Sequence, residues 1–544
     1  MRFVGVLGII VLLGIAFLLS NNKKKIRLRI VIWGLSLQIL FAAIILGNSL
    51  ISYISMLAFL ALIEIYVFKD EINSATNRSA QILKASLLVA LLGVSIGCFY
   101  LLSSVHLLGW LFWLIVVAII VKSLLKVRIY QKHLVFGLLS SGYVWLFTSG
   151  VTGQKLFAFL SDKVAKFLRL TDLGSYFLFG NLVKDEFFYP TATTWPGFGY
   201  QFAFAVLPTI IFFASIMSIL YHLGVMQAII KFLARFMQWT MGTSGAETLS
   251  CSANIFVGQT EAPLLIKPFL DDMTLSELLT IMVGGFSTIA GGVLAGYIRM
   301  GISAGHLIAA SVMSAPAALV VAKIIFPEVE FSKTAGKVDI PKDIIKTTNL
   351  LDAASRGVTD GLKLAVNVGA MLLAFIALIG LVDTLLSICD RLIDGKILNG
   401  AYRDYAAASG FSPVNGEYRG IFPGSLKTLF ALVFKPIAWL MGVSWKYAGE
   451  VGNLLGIKIA INEFVAYGSL AELKSTGALN PKAVVIATYA LCGFANFSSI
   501  GIQLGGIGAV APKRRSDLSK VALKAMFGGA IASWITASIA GILL

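Results

Sequence analysis

Two stretches decide the fold: residues 243–273, TSGAETLSCSANIFVGQTEAPLLIKPFLDDM, and residues 446–475, KYAGEVGNLLGIKIAINEFVAYGSLAELKS. Each is apolar enough to enter a membrane. Each also carries polar groups where a simple span would have its middle. The first holds Asn254, Gln259, Thr260 and Glu261 and then Pro263; the second holds Lys458, Asn462 and Glu463. A carboxylate at mid-membrane depth costs several kcal/mol unless paired or hydrated, so it marks a functional site by default. Both stretches therefore read as re-entrant hairpins, whose tips survive in a membrane only where they line protein or a wet cavity. Each hairpin precedes a span with a weak centre, GGFSTIAGG at 284–292 and GFANFSS at 493–499 with Gly505 and Gly506 beyond. Glycine and small hydroxyl residues let a helix break there and free carbonyls and amides for a ligand. Polar hairpin, broken span, closing span: the plan occurs twice, once starting from each side of the membrane. Paired interrupted segments in two halves are the sequence pointer to a transporter's midplane site.

Composition agrees. The 544 residues are 58% hydrophobic and 13% charged, with a mean hydropathy of +0.87. A soluble domain carries about a quarter charged residues, so a water-soluble enzyme or binding module is excluded. The net charge of +17 would suggest nucleic acid in a soluble protein. Here the bases cluster between apolar segments, as cytoplasmic loops do, and no nucleic-acid partner is expected. Four scattered cysteines give no disulfide framework, and His106, His133, His222 and His306 have no metal-ligand spacing.

Outward from the hairpins, the expected fold class is an all-α polytopic membrane protein with inverted repeats, two re-entrant helical hairpins and two broken transmembrane helices. Residues 3–20 form a first span rather than a signal peptide, because Lys23, Lys24, Lys25, Arg27 and Arg29 follow the apolar core. The positive-inside rule then places that loop in the cytoplasm. Further spans of about 20 residues are expected at 30–47, 50–68, 82–103, 106–125, 133–150 and 200–222. Residues 155–195 and 223–241 read as amphipathic interfacial helices. Spans at 276–300 and 304–326 precede a polar linker at 327–362, a long apolar helix at 363–389 and an external loop at 390–423. Residues 424–443 lie on the outer face, 482–510 cross inward to Lys513, Arg514 and Arg515, and 521–544 return outward. The expected organisation is scaffold spans at 1–49, an inserted helical membrane subdomain at 50–149, and interfacial helices with a scaffold span at 150–241. The first transport repeat follows at 242–326, then a linker, scaffold helix and external segment at 327–445, and the second repeat at 446–544.

Bland readings compete at each position. Glycine and serine in spans commonly serve close helix packing, which fits Ser287, Gly291 or Ser498. A structural ion pair with Lys267 or Lys458 is the alternative role of Glu261 and Glu463. No phosphate-binding loop, dinucleotide fingerprint or catalytic triad occurs, so neither an ATP-driven pump nor an enzyme is expected.

At these residues the sequence resembles the concentrative nucleoside transporter family. The segment GIKIAINEFVA at 456–466 fits that family's second-hairpin signature, NIFVGQTEAPL at 254–264 its first-hairpin motif, and GFANFSSIG at 493–501 its broken seventh helix. The resemblance covers residues 1–49 and roughly 150–544 and leaves out the four apolar segments of 50–149. It implies a homotrimer in the plasma membrane or bacterial inner membrane, each protomer pairing a scaffold with a mobile domain built from the two repeats. It implies nucleobase contacts at Gln259, Thr260 and Glu261 with Val293 nearby, and ribose contacts at Glu463, Asn496 and Ser499 with Phe494 beside the sugar. The sodium ligands it implies are Asn254, Val257, Thr288 and Ile289; position 288 is Thr where some members have Ser. The expected function is import of nucleosides coupled to a cation gradient, sodium first, by an elevator-like movement, with sodium as coupling ion and no cofactor. Proton coupling, nucleobase transport, and a nucleoside-gated channel or sensor are the alternatives.

Overall fold

Open backbone hydrogen bonds are not tolerated in lipid, so a membrane-spanning chain must resolve into helices or a closed barrel, and the long apolar runs of this one suit helices. The computed structural model does so, and describes residues 2–74, 77–103, 131–184, 202–335, 347–404 and 413–544. It divides into two compact units, Ile39–Leu160 and Met1–Gln38 with Ser161–Leu544. Helix α1 (Arg2–Leu18) belongs to the second, and α2 (Leu28–Leu46) runs across the boundary. The 39–160 unit holds α3 (Ser49–Val67), α4 (Arg78–Ser103) and α5 (Gln131–Thr148). Serine hydroxyls stitch it: Ser95 Oγ donates to Ser140 Oγ at 3.1 Å, and Ser52 Oγ donates to the Ile44 carbonyl at 2.8 Å. Only Leu92 of α4 is buried, leaving an apolar surface suited to lipid. The span expected at 106–125 lies outside the described residues.

The amphipathic stretch after residue 155 forms α6 (Gly153–Leu168), which also runs across the boundary, and α7 (Thr171–Phe179) of the larger unit, and residues 185–195 of that expectation lie outside the described residues. Helices α8 (Phe202–His222) and α9 (Val225–Met241) follow. Arg29 caps the end of α9, with Nη2 donating to the Trp239 carbonyl at 2.7 Å and Nε to that of Thr240 at 3.0 Å.

The two repeats emerge as the sequence proposes. Helix α10 (Gly245–Ala253) and the 3-10 helix Ala262–Asp272 make the first hairpin; α11 (Leu275–Ser287) and α12 (Gly291–Arg299) are the halves of a broken span; α13 (Ala304–Ile325) closes the repeat. Capping boxes set both starts: Ser244 with Glu247, and Thr274 with Glu277.

The linker and external region depart from expectation. Helix α14 runs Leu350–Asp390, 41 residues, beginning inside the expected linker. Asp352, Arg356 and Asp360 make its first turns read as polar, yet Asn349 caps it by accepting from Asp352 N at 2.9 Å. The expected loop 390–423 contains a π-helical turn, Arg391–Ile397, and an antiparallel ribbon of β1 (Tyr402–Asp404) and β2 (Gly416–Tyr418). Acids pin this region: Asp390 Oδ2 accepts from Tyr418 N at 2.9 Å, and Asp394 Oδ2 from Phe422 N at 2.8 Å.

Helix α15 (Leu426–Leu440) then leads by a 117° bend into α16 (Trp445–Ala460). With α17 (Glu463–Ser475), α16 is the second hairpin; α18 (Pro481–Leu491) and α19 (Phe497–Val510) are the second broken span, and α20 (Arg515–Leu543) closes the chain.

Packing separates core from shell. All of α11 from Ser276 to Ser287 is buried, as is α20 from Gly528 to Gly541. The pair packs closely because α20 presents glycine: a Cβ on Gly529 would fall 2.4 Å from Phe286 Cβ. Likewise Gly357 and Gly361 of α14 lie against Ser215 and Ile211 of α8, at 2.6 and 2.8 Å from those Cα atoms to a would-be Cβ. This is the small-xxx-small crossing of membrane helices.

One buried cluster ties the first repeat together. Lys323 of α13 pairs with Glu247 of α10 at 2.7 Å and with Glu328 at 3.3 Å, and donates to Ser276 Oγ at 2.8 Å. Glu277 accepts from Ser332 Oγ at 2.6 Å and Thr334 Oγ1 at 3.1 Å. Hairpin base, broken span and closing helix are thereby one body. Breaking a buried pair leaves an uncompensated charge and costs about 3–5 kcal/mol, whereas replacing both partners can be nearly neutral. Lys323→Met should therefore lower the melting temperature of the purified protein sharply, and adding Glu247→Gln should recover most of it. Equal melting of single and double variants would show that the pair holds nothing.

Candidate substrate and cation site

The site is assembled where the two helix breaks cross. Gly493 opens the second break at φ +122°, a conformation suited to glycine. A Cβ there would fall 2.5 Å from the Phe286 carbonyl oxygen and 2.8 Å from Ser287 C, at the end of α11. The breaks thus touch backbone to backbone, and each hairpin tip reaches the broken span of the other repeat.

Glu463 is the first residue of α17, at the positive end of that helix. Asn462 caps the helix by accepting from Val465 N at 2.9 Å. Both Glu463 carboxylate oxygens are engaged: Tyr297 O–H donates to Oε1 at 3.1 Å, and Asn496 Nδ2 donates to Oε2 at 3.1 Å. Asn496 is free to point its amide there because its Oδ1 caps α19, accepting from Ser499 N at 2.8 Å and Ser498 Oγ at 2.7 Å.

From Ser499 the network crosses to the first hairpin. Gln259 Nε2 donates to Ser499 Oγ at 3.2 Å, and Gln503 Nε2 donates to Gln259 Oε1 at 3.0 Å and to the Met282 carbonyl at 3.2 Å. Thr260 packs its methyl on Gly506, where a Cβ would sit 2.5 Å away. Both hairpins and both broken spans therefore meet in one buried polar network. It presents carboxylate, amide and hydroxyl groups, suited to a neutral ligand with hydroxyls and amide-like edges.

The structure separates Glu261 from its neighbours in sequence. Its Oε2 accepts from Gly258 N on its own hairpin, and it lines a cavity of about 290 Å³ with Tyr221, Val257, Arg356, Asp360 and Leu364. Val293 and Phe494 are buried. Lys458 is not paired with Glu463: its Nζ donates to the carbonyls of Ala490 at 3.0 Å and Cys492 at 3.4 Å. Lys267 is exposed. The ion-pair alternative fails for a simple reason, since Glu463 already has two donors and the lysine turns to carbonyls released by the helix break.

The four residues implied as sodium ligands lie around the first break. Asn254 ends α10, is fully buried, and has neither side-chain oxygen nor nitrogen hydrogen-bonded. It adjoins α11 at Gly284, whose would-be Cβ is 3.4 Å from Asn254 Nδ2. Thr288 Oγ1 donates to the Gly284 carbonyl at 2.8 Å. Gly291 N donates to the Phe256 carbonyl at 3.1 Å, drawing Val257 alongside the segment that holds Ile289. A buried carboxamide without a partner is costly, and a small cation bound by oxygens would satisfy its Oδ1.

Tyr297 and Gln503 are network residues that motif reading passes over. Tyr297 stands four residues after Val293 and Gln503 four after Ser499, one helical turn along the same face. That spacing was the available signal.

Comparison with known proteins agrees with this architecture. Family models for the N-terminus of Na+ dependent nucleoside transporters match residues 7–60 and for their C-terminus residues 306–541, and a nucleoside recognition (gate) model matches 203–304. Mouse sodium/nucleoside cotransporter 1 is 43% identical over 405 residues, 72% of this chain and 56% of that protein, so the chain spans little more than half its length. An uncharacterized transporter of Haemophilus influenzae is 41% identical over 407 residues, 74% of this chain and 89% of that one. Among solved structures, CNTnw in an inward-facing substrate-bound state aligns with a TM-score of 0.69 at 31% identity, covering 99% of this chain and 97% of that chain. A CNTnw variant in an outward-facing state aligns with the same score at 30% identity, over 100% and 97%. With both repeats, both hairpins and the match along nearly the whole bacterial relative in hand, this polytopic membrane chain belongs to the concentrative nucleoside transporter family.

Proposed function

We propose that the protein is a secondary active symporter that imports nucleosides with sodium, as a homotrimer in the plasma membrane or bacterial inner membrane. The observation that carries this reading is the network joining Glu463 and Asn496 to Ser499, Gln259 and Gln503 across both repeats. In it, Glu463, Asn496 and Ser499 take the ribose hydroxyls beside Phe494, and Gln259 and Thr260, with Glu261 and Val293, take the base. A carboxylate accepting hydroxyl protons makes charge-assisted bonds, roughly twice as strong as neutral ones.

Asn254, Thr288 and the Val257 and Ile289 carbonyls hold the sodium ion. Because Asn254 and Gln259 share the tip of one hairpin, ion binding beside Asn254 orders the residues that contact the nucleobase. Linkage then requires each ligand to tighten the other by the same factor. The two repeats carry both ligands across as one body against a scaffold that includes α8 and α14, an elevator-like alternation. The Lys323 cluster and the α11–α20 packing support a rigid carrier, and the CNTnw structures in opposite orientations support alternation in the family.

Two predictions test the reading in proteoliposomes. Glu463→Gln should reduce uridine uptake on the order of tenfold or more, the scale of a charged hydrogen bond, with folding and assembly near normal. Deleting the ribose hydroxyls should then cost the variant little further, while equal sensitivity of variant and wild type to a 2′,3′-dideoxy substrate would refute the ribose role.

For coupling, uptake is measured against sodium at fixed pH. Asn254→Ala should raise the sodium needed for half-maximal uptake, Thr288→Ser should be tolerated, and Thr288→Val should not. Valine keeps the shape of threonine and removes its oxygen. An unchanged curve for Thr288→Val removes that hydroxyl from the ion site, and sodium-independent wild-type uptake moves the coupling to protons.

A further inference from the structure

The cavity that Glu261 faces has two walls of different kinds. One is the first hairpin, with Gly258 and Glu261; the other is the scaffold, with Tyr221 of α8 and Arg356 and Asp360 of α14. The walls meet tightly beside it. A Cβ on Gly291 would fall 2.8 Å from Phe213 Cε1 of α8, and one on Gly292 would fall 3.2 Å from Leu364 Cδ2 of α14. The charged groups between them are uncommitted. Neither Arg356 nor Asp360 makes a side-chain hydrogen bond or ion pair among the described residues, although a spacing of four on one helix would let them pair. Both are exposed, as Glu261 is, so water can carry their charges until a ligand takes them over. Asp360 stands close enough to Glu261 for the two carboxylates to repel. Tyr221 adds a buried hydroxyl without a partner.

This is a pattern that a nucleobase edge can match. Two opposed carboxylates call for two N–H donors between them, and a guanidinium beside them calls for an acceptor. Guanine alone among the common bases offers that order along one edge: the 2-amino group, N1–H and O6. Uracil and hypoxanthine offer a single donor. Adenine and cytosine put a bare ring nitrogen where N1–H would be, against a carboxylate with nothing to donate. Arg356 and Asp360 lie one turn apart on α14 and so suit the adjacent O6 and N1–H, which leaves the 2-amino group to Glu261 on the facing wall. A purine also carries this edge farther from the ribose than a pyrimidine does, which suits a cavity set apart from the Glu463 network.

We propose that Asp360 and Arg356 are specificity residues which, with Glu261, read the Watson–Crick edge of guanine and make guanosine the preferred substrate. The inference rests on the nucleoside reading given above and adds the scaffold to the site. Gln259, Thr260 and the ribose contacts travel with the carrier, whereas Asp360 and Arg356 stay behind. The base is therefore checked only where the carrier brings hairpin and scaffold together.

The test is competition against labelled uridine uptake by the full chain in proteoliposomes. In wild type, guanosine should compete about tenfold better than inosine, which lacks the 2-amino group, the scale of one hydrogen bond to a charged group. Adenosine should compete less well than either. Asp360→Asn, whose amide can donate to a bare ring nitrogen, should weaken guanosine about tenfold and strengthen adenosine. Arg356→Met should weaken guanosine and inosine by the same factor, since both carry O6. A merely structural role for either residue would move all nucleosides together. Equal competition by guanosine and inosine in wild type, or an unchanged guanosine-to-adenosine ratio in Asp360→Asn, overturns the proposal.

Thermal melting of the purified protein gives a readout apart from transport. Guanosine should raise the wild-type melting temperature more than inosine at the same concentration, and the gap between guanosine and adenosine should shrink in Asp360→Asn. The wild-type series of analogues decides the matter even where a substitution impairs folding. Absence of uridine uptake by wild type would sink the transport reading instead, and the melting series would still judge Asp360.

Discussion

The structure depends on one constraint: a helix broken inside an apolar medium exposes amides and carbonyls that must find partners. This protein breaks two helices, at 288–290 and 492–496, and ends two hairpin arms beside them. Several of the buried polar side chains answer that demand. Asn496 and Asn462 cap the restarted helices, Lys458 takes carbonyls at one break, and Thr288 bonds back to Gly284 at the other. Polar groups that would be a liability in a continuous span become, at a break, the partners the backbone needs. The backbone comes first, and the ligand chemistry is fitted around it.

This explains what could be read from the sequence. The hairpins were legible because Asn254, Glu261, Lys458 and Glu463 interrupt apolar runs, and nothing but function or burial against protein tolerates that. The breaks were legible because glycine and serine cluster where a helix should be strongest. Less legible was anything decided by which way a side chain turns. Glu261 follows Gln259 by two residues yet faces a separate cavity with Arg356 and Asp360, a consequence of the local bend onto Gly258. Lys458 precedes Glu463 by five residues, close enough to suggest an ion pair, and the α16–α17 turn sends the two apart. The start of α14 was hidden because its first turns carry charged residues that hydropathy reads as linker. Cap residues, rather than apolar content, define where that helix begins.

The repeats are also unequal in ways their shared plan conceals. The first hairpin returns as a 3-10 helix containing Pro268, while the second returns as a regular α-helix capped by Asn462. A 3-10 segment has poorer hydrogen-bond geometry than an α-helix, so the first hairpin is the more deformable arm. Its base is held instead by the Lys323 cluster, far from the tip.

The mutual bonding of Gln259, Ser499, Gln503, Asn496 and Glu463 has a consequence for fidelity. Apart from Gln503 Oε1, which has no partner, their donors and acceptors are matched to one another, so a ligand at this network would enter chiefly by exchanging partners. A solute offering only part of the right pattern would open bonds that it cannot replace, and each orphaned buried group costs about 1–3 kcal/mol. Water and small partial mimics would thus be poor guests at this network, whereas a molecule presenting the whole pattern would replace the bonds it opens. A carrier of this kind resists leak by being its own competitive occupant.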